Sequence, residues 1–261
     1  PPPPPVVETL VVVVKAPEPK VVAKPLRQPA PVGARRASFL VATHHRPDLL
    51  RLCLTTLKAQ EVPEGWSVEI LVGGRAADLG KAVAEEFGAT YLPVDHDWVT
   101  HKINVMVNHA RGELLLLADD DDLQPPNRLA AAVRAHDRGA DYSASGRLWF
   151  YDIEHDRLTQ WVGPPALVGT SMSIRTSTVK AVRGWPLIGK GKDGPMAKRL
   201  REHGALFADL SGEIGDGLVA LQHGANIWRR PVVEKGATAR KGSFEIKGFG
   251  TEKENCSRFE G

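Results

Sequence analysis

Apolar residues fall along this chain in short runs that alternate with stripes at helical spacing. Ser38-Phe39-Leu40-Val41-Ala42-Thr43 reads as a buried strand. Pro47 then stands where a first helical residue is tolerated, and Leu49, Leu50, Cys53, Leu54 and Leu57 recur as a core-facing stripe. Ser67 to Val72 reads as a second strand ending in Gly73-Gly74. The helix after it carries Leu79, Val83 and Phe87 and closes at Gly88, as a C′ glycine would. A short strand is expected around Ala89 to Leu92. Thr100 is then expected to cap a helix with Ile103, Met106, Val107 and Ala110 on one face. Leu114 to Ala118 forms an unbroken apolar run that stops at Asp119-Asp120-Asp121-Asp122. Its shortness and charged break favour a buried strand over a buried helix. Pro125-Pro126 is expected to open a helix reaching about Arg138. Strand alternating with helix in this way predicts an α/β chain, a mostly parallel sheet with helices on its faces.

The second half changes character. Leu148 to Ile153 and Arg157 to Val162 read as a hairpin around His155-Asp156, and Met172 to Ile174 as another strand. A short helix runs to Val182 and ends at Gly184, a basic helix covers Lys192 to His203, and Leu218 to Leu221 is a late strand. Residues 1–37 are rich in Pro and Val, and Pro17, Pro19, Pro25, Pro29 and Pro31 forbid a regular helix or central strand, so a flexible arm is expected there. A single domain is expected over 38–232, and a loose tail rich in Gly and Lys over 233–261.

The totals bound the class without naming a function. A chain of 261 residues, 42% hydrophobic and 25% charged, fits one large globular domain. A formal charge of +3 does not by itself announce a nucleic-acid binder. Cys53 and Cys256 stand in no metal or redox spacing, and no apolar run approaches the roughly 18 residues of a membrane span. A cytoplasmic protein without a transmembrane segment is the expectation.

Chemistry enters with the aspartates. Four neighbouring carboxylates repel one another and raise each other's pKa values, a conflict that a divalent cation relieves. An EF-hand fails at once, because a loop starting at Asp119 puts Gln124 at the glycine position and Ala130 at the bidentate Glu position. Two readings remain: a solvated acidic turn, or a metal site at a strand end, where open α/β sheets bind their ligands.

In this order the motifs resemble the family-two glycosyltransferases. Phe39 to Leu50, with Thr43-His44-His45-Arg46-Pro47 at its centre, is similar to that family's first strand and helix. Asn104 to Asp122 resembles its Asn-bearing helix, Gly-Glu strand start and Asp-x-Asp-Asp loop. Gly169-Thr170-Ser171-Met172-Ser173-Ile174-Arg175 with Gly184-Trp185 resembles the acceptor-flanking segment, Asp193 the acidic catalytic base, and His223 to Trp228 the late His-x-x-Asn segment. Three positions depart from the pattern. His44-His45 replaces Tyr-Asn, Gly73-Gly74 replaces paired aspartates, and Lys192 precedes Asp193 where an acidic residue is common.

The resemblance implies a single GT-A-like, Rossmann-like domain with a smaller acceptor-side subregion. It implies a metal-dependent, inverting transfer of a sugar from a nucleoside-diphosphate sugar, a UDP-sugar foremost, to an acceptor hydroxyl. Asp193 would be the general base, or only a carboxylate favoured by a helix N-terminus. Thr43, His44, Arg46, Lys102, Asp119 and Asp120 would bind the donor. Lys102 could instead be solvated and Thr43 a helix cap, and Asp122 reads best as a cap of the helix that follows. Asp121, Asp119 and His223 would hold Mn2+ or Mg2+, although His223 could be structural. Trp149, Trp161 and Trp185 are candidates for the acceptor side, or hairpin core in the case of the first two. The acceptor is a saccharide, a lipid carrier or a hydroxylated base in DNA. The last would use a basic face of Arg147, Arg175, Lys190, Lys192, Lys198, Arg199 and Arg201. Two other classes compete: a nucleotidyltransferase, whose first loop would normally be glycine-rich, and a non-catalytic nucleic-acid or carbohydrate-binding module.

Overall fold

A computed structural model describes residues 35–164, 168–189, 191–223 and 237–238. Strand β1 (Arg35–Ala42) leads into helix α1 (Pro47–Lys58), β2 (Trp66–Gly74) into α2 (Gly80–Glu86), and β3 (Thr90–Pro93) into α3 (Val99–His109). The apolar run is β4 (Leu114–Asp119), followed by the two-residue β5 (Asp122–Leu123) and α4 (Arg128–Asp137). Next come β6 (Tyr142–Ala144) and a hairpin of β7 (Arg147–Asp152) and β8 (Arg157–Val162). A 3-10 turn at Gly169–Ser171 precedes β9 (Ser173–Arg175), α5 (Thr176–Ala181) and α6 (Asp193–Glu202). The remaining elements are β10 (Phe207–Asp209), α7 (Ser211–Ile214), β11 (Val219–Gln222) and β12 (Ala237–Thr238).

Two sheets result. The larger has seven strands in the order β10-β6-β9-β4-β1-β2-β3, with β4, β1, β2 and β3 parallel and β9 antiparallel to both its neighbours. The smaller has five in the order β12-β8-β7-β11-β5. The unbroken apolar character of β1 and β4 follows from burial on both faces. Leu40, Leu115 and Leu117 pack with Ile103, Met106 and Trp185 on one side. Phe39, Val41, Leu114 and Leu116 pack with Leu50, Leu54 and Leu129 of α1 and α4 on the other. Truncating any of these leucines to alanine costs about 2–5 kcal/mol. The sheet order places the C-terminal ends of β1, β2 and β4 side by side, with Ala42 opposite both Gly73 and Asp119.

The pattern erred in instructive places. Leu79 is 66% exposed and precedes α2, whose buried face is Val83 and Ala84. Gly88 does end that turn at φ +65, with its N–H bonded to Glu85 O and that of Ala89 to Ala84 O. Thr100 does not cap α3; its hydroxyl donates to Ile188 O at 3.0 Å. The helix expected from Pro125 begins at Arg128. β1 starts at Arg35, inside the expected arm, and β12 pairs with β8 from inside the expected tail. The rest of the arm and tail lies outside the described residues, as does the His223 to Trp228 motif beyond its first residue. Among the described residues, no helix is long and apolar enough to cross a membrane.

Candidate functional site

The acidic loop starts where β4 leaves the core and joins the second sheet three residues later. Asp122 and Leu123 form β5, pairing antiparallel with Ala220 and Val219 of β11. That pairing buries Asp120 and Asp122, at 0% and 5% exposure, so the loop is not a solvated turn. It also removes Asp122 from the capping role, since Asn127 stands at the N-cap of α4. Thr170 braces the loop. Its hydroxyl accepts the Asp119 N–H at 3.1 Å and a Gln124 amide proton at 2.9 Å, and it also bonds Asp122.

Buried carboxylates need partners, and cationic side chains of this chain supply them. Arg46, just before α1, donates to Asp121 Oδ2 at 2.7 Å and to Asp120 Oδ1, and its Nη1 lies 3.3 Å from His223 Nε2. Thr43 donates to Asp120 Oδ2 at 2.8 Å rather than capping a helix. Lys192 donates to both oxygens of Asp119 at 2.8 Å and lies 3.8 Å from Asp193. Lys102 is not solvated: it is 1% exposed and donates to the carbonyl of Thr43 at 2.7 Å. Burial pushes the Lys102 ammonium down and the Asp120 and Asp122 carboxyls up. Burial would also raise Asp121, but the hydrogen bond from His223 and the charge of Arg46 outweigh it and hold that carboxyl low.

His223 follows β11 directly, so the β5–β11 pairing delivers its Nε2 to within 3.2 Å of Asp121 Oδ2. A carboxylate and an imidazole so close, sharing one guanidinium, have the donor chemistry of a divalent-cation site, with Arg46 standing in as the cation. Asp119 is turned to Lys192. Among the described residues, the groups of three ligand side chains gathered within 4.8 Å are His44, His45 and Asp78, and Asp152, Glu154 and His155.

Asp193 opens α6 and lies against the 3-10 turn, where a Cβ on Gly169 would sit 1.8 Å from its Oδ1. That oxygen is buried without a hydrogen bond of normal geometry. Burial pushes the carboxyl up, past the opposing pull of Lys192. An unbroken path of contacts therefore joins Lys102, Thr43, Asp120, Arg46, Asp121 and His223 around one loop, and Lys192 ties Asp119 of that loop to Asp193.

Other candidates sit elsewhere. Trp149 and Trp161 are 7% and 8% exposed within the second sheet, and Trp185 is 2% exposed in the main core with its backbone held by Asn104. Their rings are core, not an open acceptor wall. The proposed basic face does not assemble either. Arg147 pairs with Asp216 and Lys198 with Glu202, Arg175 and Arg199 bond backbone carbonyls, and Lys192 is turned inward to Asp119. Lys190 lies outside the described residues. His44 is exposed near the same strand ends.

Sequence reasoning missed two supports. Buried Arg128 bonds Gln124 at 2.6 Å and the Leu117 carbonyl, beneath the acidic loop. Asp78, four residues past Gly74, brings a buried carboxylate onto the backbone N–H of His45 at 2.8 Å. Neither declares itself locally: Arg128 is four residues from Gln124 but eleven from Leu117, and Asp78 is 33 residues from His45. Gly73-Gly74 is explained by packing: a Cβ on Gly74 would meet the Tyr91 hydroxyl at 2.4 Å.

Comparison with known proteins bears on the family and the fold. The sequence model of Glycosyl transferase family 2 matches residues 38–185, more than half the chain. No curated protein sequence matches. Among solved structures, S. aureus TarS 1-349 in complex with UDP-GlcNAc superposes with a TM-score of 0.58 at 16% identity, over 74% of this chain and 60% of that one. The mannosyltransferase PcManGT from Pyrobaculum calidifontis, in complex with GDP-Man and Mn2+, superposes with a TM-score of 0.54 at 16% identity, over 75% of this chain and 60% of that one. The chain thus spans about three fifths of the length of these relatives.

Proposed function

The chain belongs to glycosyl transferase family 2, and from that premise we propose that it moves a sugar from a nucleoside-diphosphate sugar to an acceptor hydroxyl. The observation that carries the reading is the contact path from Lys102 through the acidic loop to His223, with Asp193 tied to the same loop. Thr43, His44, Arg46, Lys102, Asp119 and Asp120 bind the donor in this reading. The cationic groups meet the diphosphate, whose charge grows as it leaves. Asp121 and His223, with Asp119 once released from Lys192, hold Mn2+ or Mg2+, which when bound supplies charge neutralisation to that leaving group.

Asp193 takes the acceptor's proton as the hydroxyl attacks with inversion. A carboxyl raised by burial is the stronger base for that task. Lys192 limits the rise. The solved relatives carry UDP-GlcNAc in one case and GDP-Man in the other, so both bases enter the test. Cys53 is free and buried, which suits a reducing, cytoplasmic setting.

The experiment is a thermal-shift panel of UDP-GlcNAc, UDP and GDP-Man with and without Mn2+, followed by donor hydrolysis with the best ligand. A specific donor should raise the midpoint, and more so with Mn2+. Asp193→Asn should keep that shift while hydrolysis collapses. No stabilisation by any nucleotide sugar, with or without metal, would overturn the reading.

A further inference from the structure

A second cluster of ligand side chains lies at the mouth of the same strand ends, and of its members only His44 enters the donor reading above. His44 and His45 follow β1, and Asp78 lies on the loop after β2. One nitrogen of each imidazole and one oxygen of the carboxylate all fall within 4.8 Å of one another. We propose that His44, His45 and Asp78 form a binding site for an imidazole-preferring divalent cation, Zn2+ foremost, distinct from the Asp121 and His223 pair.

The backbone builds this site. His45 adopts φ +51, a left-handed conformation uncommon for a residue with a Cβ. That conformation brings its ring beside that of His44, with centroids 4.9 Å apart and planes at 64°. Asp78 is fixed by two backbone donors: His45 N–H reaches Oδ2 and Gly80 N–H reaches Oδ1, both at 2.8 Å. A buried carboxylate already oriented by its own backbone keeps a lone pair on each oxygen for a metal. Both imidazoles are exposed and can close by side-chain rotation to the roughly 2.0–2.1 Å that zinc requires. Asp97 Oδ1, 3.8 Å from His44 Nδ1, adds negative charge, while Lys102 opposes it from the inner side. Two nitrogens and one oxygen leave a fourth position open to solvent, and this donor set favours zinc over the hard ions suited to an acidic loop.

The other three-ligand cluster, Asp152, Glu154 and His155, offers one imidazole, whose Nδ1 already faces Asp152 at 3.0 Å. His96 and His101 stack at 4.8 Å with planes 26° apart, a geometry that does not converge on one ion. If His44 binds the donor as proposed above, zinc at this site withdraws it from the nucleotide and acts as a competitive inhibitor. That consequence rests on the donor reading, whereas occupancy of the site does not.

The test titrates Zn2+ alone into the full chain, read by calorimetry and by competition with a chromophoric chelator, with no nucleotide present. The wild-type chain should bind one equivalent that persists in Asp121→Ala, where the acidic-loop pair is broken. His45→Asn, which tolerates the left-handed backbone, should weaken it by about tenfold or more. His155→Ala and His101→Ala should bind as the wild type does. Absence of a stoichiometric site in the wild type would overturn the proposal, as would unchanged binding in His45→Asn. Should circular dichroism show His45→Asn unfolded, His44→Gln decides by the same criterion. Because no sugar nucleotide enters the titration, a failed zinc site leaves the transferase reading standing. A failed transferase reading equally leaves the zinc site standing.

Discussion

Gly169→Ala is a small substitution aimed at the proposed base from outside it. An added Cβ would lie 1.8 Å from Asp193 Oδ1, 2.3 Å from its Cγ and 2.7 Å from Oδ2, where ordinary contact begins near 3.4 Å. The carboxylate must therefore retreat by about 1.5 Å or adopt another rotamer. A misplacement of about 1 Å can cost on the order of a hundredfold in rate, or about 2.7 kcal/mol of barrier. The cost to folding should stay within the roughly 1–3 kcal/mol of ordinary overpacking. Gly169 has no positive φ to forbid alanine, although the displaced carboxylate gives up its bond from the Gly169 N–H. The loss of backbone freedom in the unfolded chain even favours alanine by about 0.4–1 kcal/mol. The assay measures kcat for donor hydrolysis beside donor affinity by calorimetry, in wild type, Gly169→Ala, Asp193→Asn and the double variant. The expected result is a fall in kcat of about a hundredfold with donor affinity retained. In the Asp193→Asn background the alanine should cost almost nothing further, because both changes disable one group. Wild-type turnover in Gly169→Ala, or losses that multiply in the double variant, would refute the reasoning.

Three further outcomes are expected. Arg46→Met leaves Asp120 and Asp121 without their shared cation, so urea unfolding without divalent ions should show a loss of about 3 kcal/mol; Mn2+ should restore part of it, and indifference to Mn2+ would count against a metal there. Asp121→Ala should abolish calorimetric Mn2+ binding, and normal binding would remove it as a ligand. His136 is buried between Ala140 O and Ser173, and burial pushes its pKa down from 6.5 to about 4. Its depressed folded-state value means that stability is complete above the unfolded pKa and declines as pH falls toward the folded one, by about 2 kcal/mol at pH 5. His136→Gln should flatten the change in urea midpoint between pH 7 and pH 5, and an unaltered slope would contradict this.

The long elements were legible because their signals are local. β1, α1, β4 and α3 each carry enough apolar periodicity to declare a buried face within one turn or one strand. The elements left unread were β5, β6, β10, α7 and β12, at two to four residues each. Such pieces have no period of their own and exist only through pairing, as Asp122 with Ala220 or Tyr142 with Ile174 and Phe207. The site was readable as a set of residue types but not as a set of contacts. Nothing local says that Lys192 turns to Asp119, that Arg46 reaches past α1 to two aspartates, or that Trp185 is swallowed by the core. Those outcomes follow from where the strand ends meet.

The pairing of Asp122 and Leu123 with β11 makes one five-residue stretch the common property of two sheets. Engineering the chain should respect that staple. An insertion between Asp120 and Leu123 would shift the register on which the alignment of Asp121 with His223 depends, and would disable the enzyme however gentle the added sequence. The hairpin tip at Glu154, by contrast, hangs off the same sheet with 83% of its side chain in solvent, and is the natural place to graft a tag or a reporter loop.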